Sequence, residues 1–129
     1  MKDKAIRILL IEDSSGDALL LTEMLAEFAG RYDVTRASRL SAAFELMEGE
    51  GFDLVMMDLN LPDSSGIQSL SLVREKLPLP VIVLTGLFDS ELAARAIAEG
   101  AGYFLVKGHV EADELDRIIR QCLGGNHSP

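Results

Sequence analysis

Five positions carry the chemistry open to this sequence: the adjacent acids Glu12 and Asp13, the isolated Asp58, the hydroxyl of Thr85 and the ammonium of Lys107. Each follows a short apolar run, respectively Ile6 to Ile11, Leu54 to Met57, Val81 to Leu84 and Tyr103 to Val106. Brought to one rim, the carboxylates repel one another and raise each other's pKa. A cation relieves this. Oxygen-only ligands select a hard ion, and a few carboxylates plus water suit Mg²⁺. Lys107 supplies a second, fixed positive charge. Cation and ammonium together make room for an anion, and a phosphoryl group fits: its charge is neutralised by both, and the Thr85 hydroxyl donates a hydrogen bond to one of its oxygens. One carboxylate then serves as nucleophile. Glu12 and Asp13 are neighbours, so they diverge or share the metal. Asp58 stands alone. The segment after it, Leu59-Asn60-Leu61-Pro62-Asp63-Ser64-Ser65-Gly66, has Pro and Gly spaced for a tight turn that presents main-chain carbonyls. Asp58 is therefore the expected nucleophile.

These groups converge only if the apolar runs are parallel strands of one sheet. Each run is nearly continuous in apolar character, as in strands buried on both faces. A fifth stretch, Tyr32-Asp33-Val34-Thr35, alternates like an edge strand. Between them lie helical stripes: Ala18, Leu21, Leu25 and Phe28; Leu40, Ala43, Phe44 and Met47; Ile67, Leu70, Val73 and Leu77; Leu92, Ala93, Ala96 and Ile97; and Leu115, Ile118, Ile119 and Cys122. Asp89 or Ser90 is the expected cap of the fourth helix, and Gly100 its stop. Strict alternation of strand and helix predicts an α/β fold, doubly wound, with helices on both faces of a parallel sheet. In such sheets ligands sit beyond the carboxyl ends of the strands, where strand order reverses.

The chain has 129 residues, 48% of them hydrophobic and 26% charged, and a formal charge of −9. This is the balance of one soluble domain, expected over residues 1–124 with a frayed tail over 125–129. The acidic excess argues against gripping nucleic acid or an anionic membrane. The single cysteine, Cys122, excludes an internal disulfide framework and fits a reducing compartment, the cytoplasm. No apolar run approaches the ~20 residues of a membrane helix, and no signal-peptide cleavage pattern follows the N-terminus.

The motifs as they stand, Leu10-Ile11-Glu12-Asp13, Asp53 to Pro62 with Gly66, Val81 to Gly86, and Tyr103 to Lys107, resemble those of the receiver domain of bacterial two-component response regulators. They span nearly the whole chain in the family's order. The resemblance implies the chemotaxis-regulator fold, a flavodoxin-like (βα)5 three-layer sandwich with a five-stranded parallel sheet of order 2-1-3-4-5. It implies Mg²⁺ held by Glu12, Asp13, Asp58 and the main-chain carbonyl of Asn60, and phosphorylation of Asp58 by a histidine kinase or histidine phosphotransfer protein. It implies that Thr85 and Lys107 bind the phosphoryl group, and that Thr85 and Phe104 form the switch. The face of the fourth helix, fifth strand and fifth helix is then read by a downstream protein, an output domain or a second copy in a homodimer. Two departures stand out. Phe104 lacks the hydroxyl of the tyrosine common at the switch position. Gly108 follows Lys107 where the family has proline with a cis bond, and a non-proline cis bond costs ~3 kcal/mol.

Plainer roles compete at several positions. Asp13, Ser14, Ser15 and Asp17 are all candidate caps for the first helix. Thr85 can bond its own loop, and Lys107 can be a solvated strand end. His109 and His127 have no metal constellation around them, and Cys122 fits the core. Glu111, Asp113, Glu114 and Asp116 suit the dipole of the last helix and require no partner. Two other functions fit parts of the pattern. A haloacid-dehalogenase-like phosphatase needs an acid two residues after its nucleophile, where this chain has Asn60. A phosphorylation-independent interaction module needs none of the intact acids. The expected role is thus a signalling switch, not an enzyme beyond its own modification. The short stretch after the last helix leaves it acting alone or at the front of a longer protein.

Overall fold

A computed structural model describes residues 5–49 and 51–124; the tail expected over 125–129 lies outside them. The elements run β1 (Ile6–Ile11), α1 (Ser15–Ala26), β2 (Tyr32–Ala37), α2 (Leu40–Gly49), β3 (Leu54–Asp58), β4 (Asn60–Leu61), β5 (Ser64–Ser65), α3 (Gly66–Lys76), β6 (Val81–Thr85), α4 (Ser90–Ala98), β7 (Tyr103–Val106) and α5 (Ala112–Cys122). Five strands form a parallel sheet in the order β2-β1-β3-β6-β7. Counting only these five, the order is the expected 2-1-3-4-5. The central strands β3 and β6 are buried throughout, whereas the edge strands β2 and β7 are partly exposed.

Alternate side chains of each strand feed two cores. Leu9, Ile11, Val55, Met57, Val81 and Val83 pack with the apolar faces of α2, α3 and α4. Ile8, Leu10, Leu54, Met56, Ile82 and Leu84 pack with those of α1 and α5. The near-continuous apolar runs have this origin, since both faces of the inner strands are covered. Ile97 departs from its expected place: it is 50% exposed, and Ala96 is the buried residue of α4. A short helix over an edge strand turns a narrower stripe inward than the sequence periodicity suggests.

The caps show how the helices start. Ser14 caps α1 by accepting from the Asp17 amide at 3.2 Å, and Asp89 caps α4 by accepting from Glu91 and Leu92. The first turn of α2 is served from a distance: the Asp63 carboxylate, on the turn between β4 and β5, accepts from the amides of Leu40 and Ser41, both at 3.0 Å. Those two bonds hold the Asp63 carboxyl below the usual carboxylate range.

A second tie was not expected. Asp116 on α5 is almost fully buried rather than a free helix-dipole acid. It accepts from Arg31 at 2.7 Å, from Arg120 and from the Tyr32 hydroxyl. Burial pushes this carboxyl up, but the three donors more than offset that and leave it below its ordinary 3.8. Such a group contributes stability above its unfolded pKa and loses it as pH falls through the folded value. Asp116→Ala is expected to cost about 2 kcal/mol at neutral pH, from lost bonds to a charged acceptor. Urea unfolding at several pH values tests this, and the deficit shrinks as pH falls below 3.8 if the tie is as described.

Candidate functional site: an acidic pocket at the carboxyl ends of the strands

The parallel register sets the rim. Met57 pairs with Ile11 and Asp58 with Leu84, so the residues just past β1, β3 and β6 lie side by side. Main chain extends the rim to β7, where the Lys107 amide donates to the Thr85 carbonyl at 2.7 Å. The carboxylates of Glu12, Asp13 and Asp58 each offer an oxygen within 4.8 Å of the others. Glu12 is fully buried, Asp58 nearly so, and Asp13 is exposed. Oxygen donors at this spacing, one of them open to water, match the ligand chemistry of a hard divalent ion.

Lys107 reaches into the same pocket. Its Nζ donates to Glu12 at 3.0 Å, to Asp58 at 2.7 Å and to Asp17 at 2.8 Å. Burial lowers the ammonium's pKa, yet the bonds it donates to Asp17, Asp58 and Glu12 outweigh it and hold Lys107 well above its ordinary value. Burial pushes the Glu12 carboxyl up despite bonds from Lys107 and the Ser14 amide, and the nearby Asp58 charge adds to the rise. Three carboxylates bond the one ammonium and a fourth, Asp13, lies beside Glu12 and Asp58, so the pocket holds more negative charge than its lysine neutralises.

The remaining expected residues sit around this centre. The Thr85 hydroxyl is buried and donates to the Leu87 carbonyl at 3.2 Å within its own loop, the plainer of its two roles. Asn60 follows Asp58 by two residues, and its amide donates to the Asp58 carboxylate at 2.7 Å. The β4–β5 ribbon pairs Asn60 with Ser65 and fixes the loop that presents Asn60. Phe104 turns to the α4 side of the sheet and meets the exposed ring of Phe88 edge-on, with centroids 6.5 Å apart. Tyr103 points away from that core and is 37% exposed.

Sequence reading missed two participants. Asp17 was weighed only as a cap, and its place one helical turn past Asp13 was the available signal. Arg36 at the end of β2 donates to the carbonyls of Glu12 at 2.9 Å and Asp13 at 3.1 Å, which fixes the loop carrying both acids. A lone arginine on an alternating edge strand carries no such signal.

The loop after Lys107 takes its own path. No peptide bond among the described residues is cis, and Gly108 has φ +84°. A proline, locked near −65°, does not fit there, so the Lys-Gly pair and the loop geometry go together. Gly108→Ala is expected to cost about 1–2 kcal/mol, the strain of a side chain at positive φ; thermal unfolding measures it.

A doubly wound sheet carrying three converging acids and a lysine on its carboxyl rim defines a phosphoryl-handling signalling fold rather than a scaffold alone. Residues 8–120 match the family model of the response regulator receiver domain, and the chain belongs to that family. It is therefore the phosphorylation-controlled switch of a two-component system. The response regulator FleR of Pseudomonas aeruginosa is 32% identical over 93% of this chain, and the cell cycle transcriptional regulator CtrA of Caulobacter vibrioides is 31% identical over 88%. The chain spans 25% of FleR and 48% of CtrA. Among solved structures, the signal receiver domain of a Luxo repressor protein from Vibrio parahaemolyticus superposes with TM-score 0.80 at 31% identity, covering 92% of this chain and 90% of that one. The receiver domain of an HD domain-containing protein from Pseudomonas fluorescens gives 0.82 at 29% identity, covering 97% and 99%.

Proposed function

We propose that Asp58 is the residue phosphorylated, by a histidine kinase or a histidine phosphotransfer protein. The observation that carries this is its bond to Lys107 at 2.7 Å inside a pocket of three carboxylates. An Asp58 oxygen attacks the phosphorus of a phosphohistidine: the new O–P bond forms, the N–P bond breaks, and the imidazole leaves with a proton. Glu12, Asp13, Asp58 and the Asn60 carbonyl would hold Mg²⁺, which supplies positive charge for the phosphoryl oxygens. Lys107 supplies the same from the other side. The modified group adds a charge of about −2. Thr85 trades its bond to Leu87 for one to a phosphoryl oxygen, and Phe104 turns into the space released. The face of α4, β7 and α5 changes with it and is read by a downstream protein, an output domain or a second copy. The domain promotes only its own modification and its reversal. The acid balance and the absence, among the described residues, of a helix long and apolar enough to cross a membrane support a cytoplasmic role away from nucleic acid and lipid. The receiver occupies residues 1–124.

The test is incubation with acetyl phosphate and Mg²⁺, followed by intact-mass measurement. The expected result is gain of one hydroxylamine-labile phosphoryl group that chelation prevents. No gain in the wild-type protein overturns the reading.

A further inference from the structure

The ammonium of Lys107 has three protons, and three carboxylates take all of them: Glu12, Asp17 and Asp58. A phosphoryl-type anion arriving at Asp58 needs one of these donors. The three holders differ in what release costs them. Glu12 is fully buried, and losing the lysine strands its charge. Asp58 is the group modified, and its side chain is only 10% exposed. Asp17 is 44% exposed, sits in the first turn of α1 and lines a groove of about 280 Å³ with Leu20, Gly86 and Gly108. It alone of the three has water and space to move into.

We propose that Asp17 is a positioning residue that restrains the phosphorylation site: by holding one donor of Lys107 it weakens the grip on a tetrahedral anion and strengthens the grip on the cation. The inference rests on the reading of Asp58 as the phosphoryl acceptor. Two effects act together. Asp17 adds a negative charge beside the landing place of the anion, and it offsets part of the ammonium charge that otherwise repels a divalent ion. The mostly buried ammonium, with its side chain 15% exposed, keeps this contact from being merely a distant field.

The test uses the whole chain with Mg²⁺ alone, then beryllofluoride in saturating Mg²⁺, both by calorimetry. Asp17→Ala is expected to bind beryllofluoride at least about threefold more tightly and Mg²⁺ about threefold more weakly, as expected for loss of one unit charge several ångströms away. Glu23→Ala, which removes the same charge about 9 Å further along α1, is expected to match the wild type. The opposite shifts are expected to persist in 0.5 M salt, where the Debye length is only ~4 Å. Unchanged affinities in Asp17→Ala, shifts of the same sign, collapse in salt, or an equal response in Glu23→Ala each overturn the proposal. A wild-type protein that fails to bind beryllofluoride overturns the reading of Asp58 instead, and so separates the two failures.

Discussion

Asp58→Asn is expected to abolish phosphoryl incorporation from acetyl phosphate or a kinase, a loss of at least about a thousandfold, since an amide oxygen is a far poorer nucleophile than a carboxylate. That factor corresponds to about 4 kcal/mol of activation free energy. The fold should survive. Asp58 serves Lys107 and the Asn60 amide with separate oxygens, and asparagine keeps an acceptor for one of the two. It also relieves the crowding of negative charge with Glu12 and Asp13. The lost bond and the relieved repulsion oppose each other, so a folded variant with thermal stability close to wild type and no incorporation is the expected pair of results. The controls lie close by in sequence. Asp53 bonds the Arg7 amide at the opposite end of β3, and Asp63 caps α2. Asp53→Asn and Asp63→Asn should each retain incorporation. Residual phosphate on Asp58→Asn, with loss on either control, would move the acceptor elsewhere.

The second large effect concerns stability. Lys107→Met leaves Glu12 buried with no cationic partner in the pocket, and leaves Asp58 without its ammonium. Breaking a buried pair by removing one member costs about 3–5 kcal/mol. The deficit should be largest in metal-free buffer. It should narrow as Mg²⁺ is added, because a ligand that binds the folded form alone stabilises it by mass action. Acid should narrow it too. Glu12 already sits above its ordinary 4.5 in the presence of the lysine, and loss of the lysine raises it further. A folded-state pKa above the unfolded one means that the folded form binds more protons. Stability of the variant then rises as pH falls through the folded value. Urea midpoints at pH 7.5 and 5, with and without Mg²⁺, read all three effects. A variant as stable as wild type in metal-free buffer would show that water, not Lys107, satisfies the pocket.

The strands and most of the rim were legible because their signals are local. A sheet covered on both faces writes uninterrupted apolar runs, and the four such runs and the alternating stretch at Tyr32 all became strands at the expected places. Parallel alternation then put Glu12, Asp13, Asp58 and Lys107 together without any knowledge of side-chain positions. What escaped depends on contacts between distant segments. Asp116 is separated from Arg31 by 85 positions and from Tyr32 by 84, and nothing in the spacing of α5 distinguishes it from its solvent-facing neighbours. Arg36 lies 24 positions from the carbonyl it holds. The β4–β5 ribbon is only two residues on each side, too short to carry an alternation. Asp17 was visible as an acid in a first turn, a feature usually explained by the helix dipole. Its bond to Lys107 required knowing that β7 ends beside α1.

The first turn of α2 borrows its carboxylate from the segment that follows the acceptor strand. Residues 59–66 and α2 are consequently one mechanical piece, though nine residues, 50–58, lie between α2's last residue, Gly49, and the start of that segment. Chimeras that graft a foreign acceptor loop onto this scaffold would carry off the stopper of a neighbouring helix. The donor loop must bring its own acid at the place of Asp63, or the graft alters two elements at once.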